Sequence, residues 1–142
     1  MKLLMEVSIN SFERLSEFSR EFYQKLKPGM IVFLSGTLGS GKTTFVRFLV
    51  SELGITEAAS PSFTLINEYR GGGQRFAHAD FYRLKSAGEL HEIGFYEYID
   101  SGEFIVLIEW AELFKEALPE PDFILSFINE SEDSRKVTVY ES

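Results

Sequence analysis

The sequence has no cysteine among its 142 residues, so it can form no disulfide and offers no thiolate to a metal. It also has no apolar run long enough to span a membrane, and its N-terminus lacks a signal-peptide core. These absences favour a water-soluble protein, for which we expect a cytoplasmic location. Positive charge is scarce as well, because 14 lysines and arginines face 22 acids and give a net charge of −8. Since neutralising phosphate supplies most of the affinity for nucleic acid, a chain this acidic needs a partner for any such contact.

The chain has enough apolar residues for one core. Hydrophobic residues make up 44% of the sequence and aromatic residues 15%. At this length they fill one sizeable core but not two. No internal repeat, low-complexity tract or linker divides the sequence. We therefore expect a single domain over residues 1–142.

One segment carries a strong chemical signal. Residues 36–43 match G-x-x-x-x-G-K-[ST], the pattern of the phosphate-binding P-loop. The apolar run Met30–Leu34 predicts a strand before this loop, and Thr44–Leu53 predicts a helix after it. The glycines let the backbone wrap a polyphosphate, so that its N–H groups and the helix N-terminus face the anion. Lys42 is expected to reach the β- and γ-phosphates, and the Thr43 hydroxyl to ligate Mg²⁺. The predicted nucleotide-binding residues of this segment are Gly36, Thr37, Leu38, Gly39, Ser40, Gly41, Lys42, Thr43 and Thr44.

Hydrophobic patterning predicts the remaining elements. A first helix is expected to start with Asn10 as its N-cap and Glu13 three residues later, and to stop at Lys27–Gly29. A short helix is expected from Ser86 through Ile93, and a hairpin turn at Arg70–Gly73. The predicted strands are Leu3–Ile9, Phe63–Tyr69, Gln74–Asp80, Phe104–Ile108, Phe123–Asn129 and Lys136–Tyr140. The fold class that follows is α/β: a three-layer P-loop NTPase-like fold with a mixed, mostly parallel sheet, antiparallel hairpins, and helices on both faces.

A P-loop protein needs an acid near Mg²⁺, and two candidates end predicted strands. Glu109 follows four apolar residues, as in a Walker-B strand, and Asp80 ends the strand before it. Either carboxylate can serve Mg²⁺ while the other orients the attacking water. The predicted metal ligands are Thr43, Glu109 and Asp80, and the predicted catalytic residues are Lys42, Asp80 and Glu109. His78 is interpreted as a structural strand residue.

Two further features leave alternatives open. The hydroxyl-rich segment Ser60–Thr64 follows the P-loop helix, where it is either a loop that meets the γ-phosphate or an ordinary polar turn. Trp110 is either part of the site or a core aromatic. No Asn-Lys-x-Asp guanine-reading motif occurs in the sequence, so adenine is the expected base.

Four segments together resemble a known family. Residues 38–47, 60–65, 78–84 and 107–112 read LGSGKTTFVR, SPSFTL, HADFYRL and LIEWAE. In this order they resemble the TsaE family of bacterial ATPases, from the first helix to the last hairpin. The sequence departs from the family pattern at Thr37, Ser62 and Ala111, where Asp, Thr and Pro are usual.

The resemblance implies a function. TsaE-like proteins bind ATP with Mg²⁺ and hydrolyse it slowly to ADP. They associate with TsaB and TsaD, which modify adenosine 37 of tRNA with a threonylcarbamoyl group, so tRNA contact is indirect. By position, Thr43 and Glu109 would serve Mg²⁺, with Asp80 as a second functional acid. The adenine pocket has no clear signature, and we place it at Asn10, Ser11 and Arg135. The alternative is a small P-loop metabolite kinase, although no arginine-rich lid segment is present.

Overall fold

A computed structural model describes residues 1–37, 39–54 and 65–142 of the chain. The helices are α1 (Phe12–Tyr23), α2 (Lys42–Ser51), α3 (Glu89–Glu92) and α4 (Phe95–Ser101), followed by a 3₁₀ segment over Ala111–Ala117. The strands are β1 (Lys2–Ile9), β2 (Ile31–Ser35), β3 (Ile66–Gly71), β4 (Gln74–Asp80), β5 (Ile105–Glu109), β6 (Phe123–Asn129) and β7 (Arg135–Glu141). Among these residues, no helix has the length and apolar character needed to cross a membrane.

The described strands form one seven-stranded sheet in the order β1-β7-β6-β2-β5-β4-β3. The pairs β2–β5, β2–β6 and β4–β5 are parallel. The pairs β1–β7, β3–β4 and β6–β7 are antiparallel. Only β3 and β7 therefore run against the other five strands. This mixed, mostly parallel sheet with antiparallel hairpins confirms the predicted fold class.

Helices cover both faces of the central strands. On one face, α1 and α2 bury Phe18, Phe22 and Phe45 against β2, β5 and β6. On the other face, α3, α4 and the 3₁₀ segment pack with Phe81 and Phe95. Strand residues alternate between the two clusters, as the two-residue period of a strand requires. The result is the predicted three-layer arrangement, with the carboxyl ends of β2, β4 and β5 at one edge of the sheet.

The helix boundaries differ from the prediction in specific ways. The prediction of Asn10 as the N-cap of α1 is wrong, because the hydroxyl of Ser11 accepts the Arg14 amide at 3.0 Å. Asn and Ser are both common N-caps, so adjacent candidates could not be separated from sequence. The short α4 and the 3₁₀ segment were not predicted, since neither is long enough to show a helical period. The hairpin turn is shorter than the predicted Arg70–Gly73. It consists of Gly72 and Gly73, because Gly71 already pairs with Gln74.

Candidate functional site

The loop after β2 is held tightly at its start. At Gly36, where φ is 146°, an added Cβ would lie 2.6 Å from the Phe127 carbonyl oxygen and 2.7 Å from Ser40 Oγ. Glycine is therefore required here by the close approach of β6. The Ser40 amide donates to the Thr37 carbonyl at 3.1 Å and closes the turn. At the far end of the loop, Gly41 caps α2 in the left-handed conformation, with φ of 103°.

Lys42 is the first residue of α2 and is only 4% exposed. Its Nζ donates to the Gly36 carbonyl at 2.6 Å and lies 4.0 Å from Glu109 Oε1. The same ammonium lies 4.3 Å from the ring centroid of Trp110. A buried ammonium is costly without such partners, so these contacts hold the positive charge at the mouth of the P-loop.

The two predicted carboxylates are neighbours in the sheet. Asp80 ends β4, Glu109 ends β5, and the parallel register pairs them directly. Glu109 is 3% exposed, and its Oε2 accepts from the Thr43 hydroxyl at 3.4 Å. Asp80 Oδ1 accepts from the Tyr82 amide at 3.0 Å, and the residue lines the same small cavity as Thr43 and Glu109. The structure thus brings together all three residues that sequence predicted as metal ligands.

His78 is the residue that the sequence interpretation undervalued. Its Nε2 lies 2.5 Å from Glu109 Oε2, and the residue is 7% exposed. The two-residue period of β4 places His78 on the same face as Asp80, toward α2. A histidine two residues before one predicted acid, on a strand beside the other, was the signal available in the sequence.

Trp110 follows Glu109 and turns the chain sharply. Its φ is 64°, the sole positive value at a non-glycine position in the described ranges. Its ring lies beside Lys42 and has its centroid 5.0 Å from that of Tyr82. Of the two alternatives left by the sequence, the structure places Trp110 at the site. Backbone strain of this kind concentrates at functional sites.

Two adjoining cavities open beside the loop. The smaller one, of about 260 Å³, is lined by residues 39–44 together with Asp80, Glu109, Trp110 and Arg135. The larger one, of about 800 Å³, shares Ser40, Gly41, Thr44 and Arg135 with it. Asn10 and Ser11, which we predicted for the adenine pocket, line the larger cavity. Its other lining residues are Ile9, Phe12, Leu15, Phe127, Glu132, Asp133 and Val137, none of which sequence reasoning had selected.

Some predicted residues lie elsewhere. Gly36 and Thr37 do not line either cavity, although the Gly36 carbonyl anchors Lys42. Leu38 lies outside the described residues, as does the segment Ser60–Thr64 that we considered as a γ-phosphate contact. The predicted strand Phe63–Tyr69 is described from Leu65 onward, with β3 beginning at Ile66.

The donors at this edge fit a nucleotide with its magnesium ion. Ser40 Oγ is buried and, within the described ranges, has no hydrogen-bond partner. At Gly39 and Gly41, an added Cβ would meet no described atom within 4 Å other than those of adjacent residues in the chain. The loop is therefore open on the side where a phosphate would approach. In the same part of the chain, no group of three or more His, Asp or Glu is placed to hold a metal alone. An Mg²⁺ ion would consequently share Thr43 and the carboxylates with phosphate and water oxygens.

The fold and the site define a class. A glycine-rich loop joins a central parallel strand to a helix, and acids end the neighbouring strands. This arrangement places the chain among α/β proteins of the P-loop type. A family model described as "Threonylcarbamoyl adenosine biosynthesis protein TsaE" matches residues 9–137. The chain therefore belongs to the TsaE family, and the resemblance predicted from its sequence is confirmed.

Individual relatives agree with the family model. A protein of Aquifex aeolicus named tRNA threonylcarbamoyladenosine biosynthesis protein TsaE is 37% identical, with 99% of this chain and 98% of that protein aligned. The protein of the same name from Bacillus subtilis is 39% identical over 79% of this chain and 70% of its own length. Among solved structures, YdiB of Bacillus subtilis aligns with a TM-score of 0.80 at 30% identity. That alignment covers 99% of this chain and 88% of YdiB.

Proposed function

We propose that this protein binds ATP with Mg²⁺, hydrolyses it slowly to ADP, and thereby serves a TsaB–TsaD-like complex in threonylcarbamoylation of tRNA adenosine 37. The observation that carries the proposal is the convergence of Lys42, Thr43 and Glu109 beside an open glycine loop. A buried ammonium, a hydroxyl and a carboxylate at one loop are the groups that phosphoryl chemistry requires.

In the smaller cavity, which would take the phosphates, each group has a separate proposed role. The loop N–H groups and the Lys42 ammonium would bind phosphate oxygens and stabilise their developing charge. Thr43 and one of the two carboxylates, Glu109 or Asp80, would hold Mg²⁺, which would neutralise phosphate charge when bound. Whichever of the two carboxylates does not ligate the ion would orient the attacking water. Asp80 and Glu109 are paired in register, so both can reach a water at the same phosphate.

The larger cavity would take the nucleoside. Its volume of about 800 Å³ is within the range of small-ligand sites. Asn10, Ser11 and Arg135 supply polar groups. Phe12, a residue that is 72% exposed, supplies an aromatic ring. Because this cavity adjoins the P-loop cavity through four shared residues, one nucleotide can occupy both.

We infer a tRNA-binding partner complex from the net charge of the chain and from the names of its relatives. With a net charge of −8, the chain has little attraction for tRNA phosphates. Its relatives are nevertheless named for tRNA threonylcarbamoyladenosine biosynthesis. A partner complex that binds the tRNA reconciles the two observations. Hydrolysis would then act as a switch on that complex.

One mixing experiment tests the proposal. Purified protein is sedimented with a TsaB–TsaD complex in the presence of ADP, of a non-hydrolysable ATP analogue, and without nucleotide. We expect association to depend on the nucleotide, and tRNA binding by the chain alone to be negligible at physiological salt. Lys42→Ala should remove ATP binding, hydrolysis and the nucleotide dependence together, because it deletes the phosphate-binding charge.

The control is Lys27→Ala. Lys27 is exposed and precedes the amino end of β2, whereas the P-loop follows the carboxyl end of that strand. This variant should behave as the wild type in all assays. Unchanged ATP affinity in folded Lys42→Ala would overturn the nucleotide site. Equal association in all three nucleotide states would overturn the switch. Transfer of phosphate to a small metabolite instead of water would favour the kinase alternative.

A further inference from the structure

His78 in β4 contacts Glu109 but does not line the smaller cavity, so any effect it has on a bound ligand passes through Glu109. Phe76, His78 and Asp80 alternate onto the face of the sheet that α1 and α2 cover, and Phe76 belongs to the core there. In the parallel register His78 lies beside Leu107, two residues before Glu109. His78 therefore lies one layer below the cavity and does not line it.

The contact between His78 and Glu109 is short and shielded from water. Nε2 lies 2.5 Å from Oε2, and the two residues are 7% and 3% exposed. An ionised carboxylate only accepts hydrogen bonds, so the imidazole is the donor. A hydrogen bond to a charged group in a buried place is stronger than an exposed one.

This contact is the shortest of those that the Glu109 carboxylate makes with Thr43, Lys42 and His78. The Thr43 hydroxyl approaches the same Oε2 at 3.4 Å, and Lys42 Nζ is 4.0 Å from Oε1. Both of those groups are ones that a nucleotide would draw toward its phosphates. The imidazole has no such competing role, because it does not line the cavity. It can therefore hold one carboxylate oxygen while the other remains free to serve a ligand.

We infer that His78 is a positioning residue, which fixes the Glu109 carboxylate so that Glu109 contributes to Mg²⁺-dependent binding of ATP. The inference rests on the proposed function and deepens it. Mutation of a residue that orients a metal ligand through a hydrogen bond typically lowers metal affinity or activity by 10- to 100-fold.

The test measures the ratio of ATP dissociation constants without and with Mg²⁺, by calorimetry in EDTA or in magnesium. His78→Phe keeps the ring shape and removes the donor. It should lower the ratio at least tenfold, while ATP affinity in EDTA stays within about twofold of the wild type. His78→Gln places an amide N–H the same number of bonds from Cβ as Nε2, and should recover the ratio to within about threefold. His91→Phe, at the exposed histidine whose ring centroid lies 4.6 Å from that of Tyr96, is the control.

A double-mutant cycle with Glu109→Gln shows whether His78 acts through Glu109. In the Glu109→Gln background, His78→Phe should change the ratio by less than about twofold. An unchanged ratio in single His78→Phe, or an equal loss in both backgrounds, would overturn the inference. Failure of His78→Gln to recover the ratio while remaining folded would do the same.

Two outcomes separate this inference from the proposed function. Thermal melting checks each variant, and His78→Met replaces His78→Phe if the latter does not fold. If Glu109→Gln lowers the ratio and His78→Phe does not, only the positioning role is wrong. If the wild type itself shows no effect of Mg²⁺ on ATP binding, both are wrong.

Discussion

The two cavities beside the P-loop are built in different ways. We call the smaller one, proposed for the phosphates, the phosphate end, and the larger one, proposed for the nucleoside, the nucleoside end. At the phosphate end, Lys42, His78 and Glu109 are buried, and the Glu109 carboxylate lies 2.5 Å from His78 Nε2 and 4.0 Å from Lys42 Nζ. At the nucleoside end, Phe12 is 72% exposed, and the cavity is lined by residues from the end of β1 and the start of α1, from the P-loop and α2, and from the β6–β7 hairpin. The first end is anchored by three central strands, and the second by elements at one side of the sheet. The charged groups of the phosphate end are thus buried beside the central strands.

This contrast predicts where substitutions have large effects. Lys42 and Glu109 at the phosphate end are 4% and 3% exposed, so water can hardly replace a partner that a substitution removes, and we expect a large effect there. Side chains at the nucleoside end share their contact with solvent, so a change there weakens binding by a smaller factor.

The largest effect is expected at Glu109. Glu109→Gln keeps the shape of the side chain and removes its charge, which leaves Lys42 without an anionic neighbour at 4.0 Å. Hydrolysis should fall at least tenfold, about 1.4 kcal/mol of barrier, while ATP still binds. Single-turnover measurements of phosphate release give the rate, and Glu112→Gln, at an exposed acid two residues after Trp110, is the matched control.

A normal rate in Glu109→Gln would assign the role to Asp80 instead. In that case Asp80→Asn should show the loss, because both carboxylates line the same small cavity. The contrast between the two ends would survive this result, since Asp80 also belongs to the central strands.

How much the sequence predicted also differs between the two ends. The strand before the P-loop and the positions of Asp80 and Glu109 at strand ends are confirmed, because the local sequence pattern determines them. The sequence interpretation of His78 as a structural strand residue misses its contact with Glu109, because the spacing of His78 from Asp80 indicates that contact only once β4 and β5 are known to be neighbours. Whether these residues act as predicted stays a prediction, although the structure brings them together.

At the nucleoside end, the sequence carries no motif. The prediction of Asn10, Ser11 and Arg135 for the adenine pocket has no motif behind it. The structure shows that all three line the larger cavity. Phe12 and Phe127 line it too, yet one looked like a helix residue and the other like a core strand residue. They meet through the antiparallel pairing of β1, β7 and β6, which no local pattern specifies.

An intermediate effect is expected at Phe12. Its ring stacks on Phe48 with centroids 5.8 Å apart and an interplanar angle of 16°, which leaves the other face toward the cavity. Stacking on a base is worth about 1 kcal/mol at an exposed ring, so Phe12→Ala should weaken ATP binding about fivefold without changing the hydrolysis rate. Competition against a fluorescent ATP analogue measures this, with exposed Ile128→Ala as control.

The same competition examines base selectivity. The wild type should prefer ATP over GTP, because no guanine-reading motif is present. Since stacking tolerates any base, Phe12→Ala should weaken both nucleotides alike and leave their ratio unchanged. A lost preference in the variant would show that the ring itself selects the base, and equal binding of both nucleotides to the wild type would contradict the adenine assignment.

The smallest effect on function is expected at Ser11, where the two roles of the nucleoside end can be separated. Its hydroxyl accepts the Arg14 amide at 3.0 Å and caps α1, which carries much of the core on that face. Ser11→Ala should lower the free energy of unfolding by about 1 kcal/mol, measured by urea denaturation against Ser142→Ala at the exposed C-terminal residue. Affinity for ATP should fall by less than about threefold, because the capped helix is held in place by Leu15, Phe18 and Phe22 even without its cap. Ser11→Asp retains a capping oxygen and should restore the stability, although its charge would oppose the phosphates at the adjoining loop. If Ser11→Ala instead abolished ATP binding while the fold stayed intact, the hydroxyl would be a principal nucleotide contact, and the nucleoside end would depend on a single group as the phosphate end does.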